Sequence, residues 1–325
     1  MKRMILQNGT DHTRFDLRIA LVTARAALDL DPDMRPLMDA LHAAGALPDT
    51  PCWDDPAVDW ASYDVAVLRS TWDYVDRLDE FLAWCGRCSR QTLLLNPPAV
   101  VRWNTDKHYL IDLANAGIPV VPTRFVEPGS GALPELKQFL AGAPPSVNVG
   151  RPCDFDDFVI KPAVGAGSRD AARYRRKDAA AAEDHLGRLL AAGRAAMLQP
   201  YLARVDEYGE TAVLYLGGEF SHSIRKGPLL RAGADLVEGL FAPEEIGPRT
   251  ADDAELAIAA AAYRALPFDP PAYARIDLLR DAQGSPAVLE LELTEPSLFL
   301  AHAPGSADLF ASWIVRSLTG RSQGD

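Results

Sequence analysis

The sequence predicts an α/β protein, a small parallel sheet covered by helices followed by two mixed α+β units. Three observations predict it. From Leu17 to about Asn104, short apolar runs alternate with segments of helical period. Two apolar runs joined by Gly217 and Gly218 read as a hairpin with a two-residue turn. The runs YARIDLL (273–279) and VLELEL (288–293) alternate apolar and charged residues with the period of a strand.

In order, Leu17–Thr23 reads as a strand, Pro32–Ala44 as a helix, Asp64–Ser70 as a strand, Leu78–Cys88 as a helix and Thr92–Asn96 as a strand. Residues 105–202 form the second unit. It holds a helix over Lys107–Ala116 stopped by Gly117 and Pro119, strands near Val120–Val126 and Phe158–Pro162, and a helix near Ala179–Ala192. Pro128–Arg151, rich in Gly, Pro and Ser, reads as a loop. Residues 203–325 supply the hairpin Thr211–Lys226, a helix over Ala251–Leu266 opened by a Thr250-to-Asp253 capping pattern, the acidic strands and a final helix around Ser306–Leu318. Residues 1–16 read as a flexible extension.

Apolar content of 48% and charged content of 24% are globular values. A net charge of −12 argues against a nucleic-acid partner held by a basic surface, and means that a polyphosphate must be gripped by local cations. No run approaches the roughly 20 apolar residues of a membrane span, and the N-terminus lacks the apolar core of a signal peptide, so a cytoplasmic location is expected. Cys85 and Cys88 match a C-x-x-C spacing. They also continue the helical stripe of Leu78, Phe81 and Leu82, which favours a core role over redox chemistry.

The charged residues carry the chemistry. Strand alternation buries Leu289, Leu291 and Leu293 and projects Glu290 and Glu292 together; in the partner run Ile276 and Leu278 bury while Arg275 and Asp277 project. Three carboxylates on one face repel one another unless a cation joins them, and hard oxygen donors suit Mg²⁺ better than Zn²⁺. Lys107, in a first helical turn, opposes the helix dipole unless an anion binds there. Lys161 ends the run FVIK just before Gly165, Gly167 and Ser168, whose backbone N–H groups can line a phosphate. Neither a P-loop nor a dinucleotide fingerprint occurs. Counting back from the Gly217-Gly218 turn pairs Leu216 with Glu219 and Glu210 with Arg225, a structural ion pair unless Arg225 and Lys226 beside the acid serve a phosphate and a ribose hydroxyl.

Together these pieces resemble the ATP-grasp superfamily, nearest its glutathione-synthetase-like branch, over most of the chain from Leu17 onward. The resemblance implies a Rossmann-like N-terminal domain and two α+β subdomains clamping ATP. Lys107 and Lys161 would hold the α- and β-phosphates, and Gly165, Gly167 and Ser168 would form the flexible phosphate loop. Gln199, Tyr201 and Leu202, in MLQPYL (197–202), would contact adenine, with Glu210 or Glu207 on the ribose. Arg225 and Arg275 would contact phosphate, making Arg275, Arg225 and Lys161 the catalytic cations, and Asp277, Glu290 and Glu292 would hold Mg²⁺. Two positions depart from relatives: Glu292 stands where many carry Asn, and Gln199 where many carry Glu.

The implied chemistry is activation of a carboxylate as an acyl phosphate, followed by C–N bond formation. Ligands bind at the carboxyl ends of parallel strands, so Arg69, Ser70, Thr71, Trp72, Asp73 and Tyr74, following the strand Asp64–Ser70, form the expected substrate segment. There Arg69 would pair with a carboxylate, Asp73 with an ammonium, and Trp72 would form a wall; alternatively Trp72 and Tyr74 pack under the next helix. With Trp53 and Trp60, this segment resembles the superfamily members that close O-ureido-D-serine in D-cycloserine biosynthesis. The expected partners are ATP and a small amino-acid-like carboxylate, with a homodimer as the assembly considered. The competing readings are a ligase joining amino acids or extending a peptide end, and a nucleotide-binding module without catalysis.

Overall fold

The structure is a computed structural model that describes residues 17–143, 145–147, 155–230 and 244–319. The expected flexible extension, residues 1–16, lies outside the described residues.

β1 (Arg18–Thr23), β2 (Leu47–Asp49), β3 (Val65–Ser70) and β4 (Leu93–Leu95) form a parallel sheet in the order β2-β1-β3-β4. Every residue of β3 is buried, as expected for a parallel strand covered on both faces. The sheet is flanked by α1 (Met34–Ala43) and α2 (Leu78–Cys88). Phe81, Trp84, Cys85 and Cys88 of α2 bury against Trp53 and Trp60 in one aromatic core. Burial pushes the Cys88 thiol up to about 12 and that of Cys85 up as well, so neither supplies a thiolate near neutral pH.

The chain then departs from expectation. The helix expected over Lys107–Ala116 begins two residues later, as α4 (Tyr109–Asn115), and a further short helix, α3 (Pro98–Asn104), precedes it. Pro98 at the first turn of α3 has no N–H to leave unsatisfied. Lys107 falls in the turn between them, where its N–H is tied to the Ala163 carbonyl (3.0 Å). β5 is confined to Arg124–Val126, because Val120 instead bridges Val288. The Gly- and Pro-rich stretch expected as a loop contains α5 (Ala132–Leu140), which buries Leu136 and Phe139; the last residues of that stretch, 148–151, lie outside the described residues.

β6 (Asp157–Pro162), β7 (Ala172–Arg175) and β8 (Ala196–Pro200) join β5 in an antiparallel sheet, order β5-β8-β6-β7. Its core is completed by α5 and by α6 (Ala179–Ala191). After the short α7 (Val205–Tyr208) come β9 (Glu210–Leu216), β10 (Glu219–Lys226), β11 (Ile246–Pro248), α8 (Asp253–Arg264), β12 (Tyr273–Arg280) and β13 (Pro286–Glu292). These strands form an antiparallel sheet in the order β11-β10-β9-β12-β13. The capping box of α8 is Asp252 with Glu255, not Thr250 with Asp253: Asp252 Oδ1 accepts from the Glu255 N–H and Glu255 Oε2 from the Asp252 N–H, each at 3.0 Å.

The hydrophobic cores cross between sheets. Leu110 and Leu113 of α4 share a cluster with Ile276 and Leu291 of β12 and β13. Phe310 and Ile314 of α9 (Ser306–Thr319) share another with Leu21 and Val67 of the parallel sheet. The three sheets therefore meet around one central cavity of about 440 Å³.

Candidate active site

Two β-bulges decide which side chains face the cavity. In the β9–β10 hairpin Leu216 pairs with Glu219 as counted, but the register shifts between Phe220 and His222. Lys226 rather than Arg225 then stands opposite Glu210, with Nζ 2.6 Å from Glu210 Oε1. Arg225 turns away: its Nε donates to the Tyr208 carbonyl at 3.1 Å, and it forms no part of the cavity wall. Gly209 permits that close approach, since a Cβ there would lie 2.6 Å from the Lys226 carbonyl oxygen and the residue holds φ +79°. Lys226, not Arg225, is therefore the cation of this hairpin that faces the cavity.

In the β12–β13 pair Arg275 faces Glu292 and Asp277 faces Glu290, but Leu278 then pairs with Val288, leaving Leu289 as the extra residue. Leu289 thus leaves the face expected from alternation. It joins Val121, Leu202, Val205 and Leu279 in a separate apolar cluster beside the charged face.

The charges on that face are paired. Lys107 Nζ lies 3.0 Å from Glu290 Oε1 and donates to the Gly165 carbonyl at 2.6 Å. Arg275 binds Asp277 through Nε (2.9 Å) and also reaches Glu292. Lys226 reaches Asp277 at 3.2 Å. Asp277 is only 1% exposed and stands behind the cavity wall, whereas Glu290 and Glu292 line it. Burial alone would raise the Asp277 carboxyl, but Arg275 and Lys226 outweigh it and hold it well below the usual range. Burial likewise opposes ionisation of Glu290, and Lys107 and Lys161 pull it below its ordinary value. Glu292, less well compensated, is raised by burial. Lys161 lines the cavity from β6 with no carboxylate within ion-pair distance among the described residues, and burial depresses its ammonium. It is the least compensated cation of the site and the one with most to gain from a bound anion.

Gly165, Gly167 and Ser168 line the same cavity. Gly167 and Ser168 both hold φ +60°, a left-handed turn that aims this loop inward. Val164 and Ala166 pack on the aromatic core of the parallel sheet, and Arg169 binds Asp76 with both guanidinium nitrogens (2.9 and 3.2 Å). Gln199 is buried and donates to Thr123 Oγ1 at 2.8 Å; Tyr201 donates to Asp206 beneath the Arg173 guanidinium. With Leu202 they border the apolar end of the cavity. Glu207 does not: it is exposed, beside Arg204 and Tyr208.

The expected substrate segment divides. Trp72 and Tyr74 line the cavity, while Arg69, Ser70, Thr71 and Asp73 do not. Arg69 is fully buried, bound to Asp31 (3.3 Å) and to the Pro296 carbonyl (3.1 Å), so it has no face to offer a substrate carboxylate. Ser70 is hydrogen-bonded to Thr23 (2.7 Å), and Thr71 is enclosed. Asp73 accepts from Trp53 Nε1 at 2.9 Å and faces Arg77, not an incoming ammonium. Of the Arg225-Lys226 pair only Lys226 reaches the cavity, and the residues that the sequence does not reveal are Leu289 in the apolar cluster and the wall formed by Glu295, Ser297 and Phe299. For Glu295 one signal was present: a third acid shortly after Glu290 and Glu292.

A parallel sheet and two antiparallel sheets around a cavity with lysines, an arginine and carboxylates at one end and an apolar slot at the other define an ATP-grasp ligase. The ATP-grasp ligase PsnB, solved with a precursor variant, Mg and ADP, shares this fold at a TM-score of 0.59 and 17% identity, over 94% of this chain and 99% of that one. Residues 19–96 match the family model described as D-cycloserine synthetase DcsG, N-terminal domain. The cycloserine biosynthesis protein DcsG of Streptomyces lavendulae is 41% identical over 305 residues, 92% of this chain and 98% of that protein. The crystal structure of D-cycloserine synthetase DcsG superposes with a TM-score of 0.84, covering 93% of this chain and 99% of that one. The chain belongs to the DcsG family of ATP-grasp ligases. No helix among its described residues is long and apolar enough to cross a membrane.

Proposed function

We propose that this ligase uses ATP and Mg²⁺ to activate the carboxylate of O-ureido-D-serine and closes the molecule to D-cycloserine. The observation that carries the reading is the 41% identity, over nearly the whole of both chains, to a cycloserine biosynthesis protein.

The donor set fits Mg²⁺. Glu290 and Glu292, with Asp277 behind them, are hard oxygen donors on one sheet face. Among the described residues no three acids, histidines or cysteines form a ready cage, because Lys107, Arg275 and Lys226 stand between them. Mg²⁺ is commonly held by one or two carboxylates and shared with substrate phosphates, so such an open set suits it. The ion would neutralise phosphate charge.

Val121, Leu202, Leu279 and Leu289 would receive the base, and Lys107, Lys161, Lys226 and Arg275 the phosphates. The substrate carboxylate oxygen attacks the γ-phosphorus and ADP leaves. The oxygen-bound ureido nitrogen then attacks the acyl carbon and expels phosphate, and the carbamoyl group that this nitrogen carries is cleaved by water, leaving as ammonia and carbon dioxide to give D-cycloserine. Both steps need orientation and charge neutralisation more than a protein nucleophile, which matches a wall of cations. The loop of Gly165 to Arg169, fastened to Asp76, would keep water from the acyl phosphate.

Incubation with ATP, Mg²⁺ and O-ureido-D-serine, followed by mass spectrometry, tests this reading. D-cycloserine should accumulate in step with ADP. ADP release without ring product, or stimulation by ordinary amino acids or dipeptides but not by the ureido compound, would refute it.

A further inference from the structure

One buried acid on the cavity wall has no task in this scheme. Glu295 is 8% exposed and lines the cavity beside Trp72 and Tyr74. Asp277, Glu290 and Glu292 each have a cationic partner, but Glu295 has no lysine, arginine or histidine within ion-pair distance among the described residues. Burial pushes its carboxyl up to about 7, and the Tyr74 hydroxyl on the same wall pulls the other way. A buried carboxylate without a cation is costly, and the cost falls when a positively charged ligand arrives.

The position is also built. The Thr294 N–H donates to Asn104 Oδ1 at 3.1 Å, the Glu295 carbonyl accepts from Trp72 Nε1 at 3.2 Å, and the Pro296 carbonyl accepts from Arg69 at 3.1 Å. Asp33 takes the N–H groups of Leu298, Phe299 and Leu300 at 2.6–2.9 Å. Side chains from outside the segment thus fix its main chain almost residue by residue, which sets the point from which the Glu295 side chain enters the cavity wall.

We propose that Glu295 binds the α-ammonium of the substrate, with Tyr74 orienting its carboxylate. The inference rests on the amino-acid substrate proposed above and deepens it. An α-ammonium sits one carbon from the carboxylate to be activated, so anchoring it fixes the reacting group relative to the cationic wall. Held against an anion, the α-amine also stays protonated and cannot attack the acyl phosphate of a second molecule. A free α-amino group is then a specificity requirement of the site.

The test compares wild type, Glu295→Gln and Tyr74→Phe by ADP release at saturating ATP and Mg²⁺. Each is measured with O-ureido-D-serine as substrate and with its des-amino analogue, 3-(ureidooxy)propanoate, as competitive inhibitor. Glu295→Gln should raise KM for the amino substrate at least about 30-fold, as expected when one partner of a buried charged pair is lost. It should leave Ki of the analogue and KM of ATP within about threefold. Tyr74→Phe should shift KM in the same direction by less, and decides the matter if the first variant does not fold. Equal losses for both compounds, or an undiminished preference for the amino compound, would overturn the assignment. If wild type releases no ADP with O-ureido-D-serine, the proposed function itself falls, and this assignment with it.

Discussion

Lys226 Nζ lies 2.6 Å from Glu210 and 3.2 Å from Asp277, so a single lysine joins the acid that opens β9 to the acid at the centre of β12. Burial disfavours its charge, but Asp277 and Glu210 more than compensate and keep it protonated. Lys226→Ala should therefore lower kcat by about 10²–10³-fold in an ADP-release assay, the usual loss for one preorganised cation or donor. Arg225→Ala, one residue away but outside the cavity, should stay within about threefold of wild type. The reverse order would mean that the bulge at Phe220–His222 does not set the site.

Arg69 is held between Asp31, Asp33 and the Pro296 carbonyl with no exposed surface. Arg69→Met strands two buried carboxylates and should cost about 3–5 kcal/mol in chemical denaturation. A variant of native stability with a greatly raised substrate KM would show instead that Arg69 touches substrate.

Arg169 and Asp76 fasten the glycine loop to the Trp72–Asp76 turn. Arg169→Ala should loosen the closure and admit water. The ratio of ADP released to ring product, measured together, should rise several-fold while the melting temperature changes little, since the pair is partly exposed. An unchanged ratio would remove the loop contact from the mechanism.

His185 in α6 is buried and hydrogen-bonded to Tyr174 (3.0 Å); burial, with Arg188 nearby, holds its imidazole down at about 4. Unfolded, it takes up its proton near 6.5. Between these values the unfolded chain binds more protons, so the stabilisation is complete above about 6.5 and is lost as pH falls toward 4. Thermal melts at pH 7 and pH 5 should show a larger drop for wild type than for His185→Gln. Equal drops would contradict this.

How far these features could be read from the sequence follows from the range of the interactions involved. Period-two alternation fixes which residues of 273–277 and 290–292 share a face, and the structure pairs Arg275 with Glu292 and Asp277 with Glu290. Lys161 was legible because a lysine ending an apolar strand before glycines has few bland explanations. Bulges have no such local mark. One extra residue at Ser221 exchanges Arg225 for Lys226, and one at Leu289 transfers a leucine from the core to the apolar slot. The fate of Arg69 was illegible for another reason: its partners lie near residues 31–33 and 296, and only the folded chain brings them together. Glu295 follows the strand, where alternation no longer says which way a side chain points.

The face carrying Glu290 is proposed to support metal-dependent phosphoryl transfer to a carboxylate. Its most direct test is ADP release by wild type and Glu290→Gln, with and without O-ureido-D-serine and across a Mg²⁺ titration. Wild type should need both the ion and the carboxylate, and the variant should fold, melt near wild type and release essentially no ADP. Near-native turnover by Glu290→Gln, or ADP release indifferent to the carboxylate, would contradict the account.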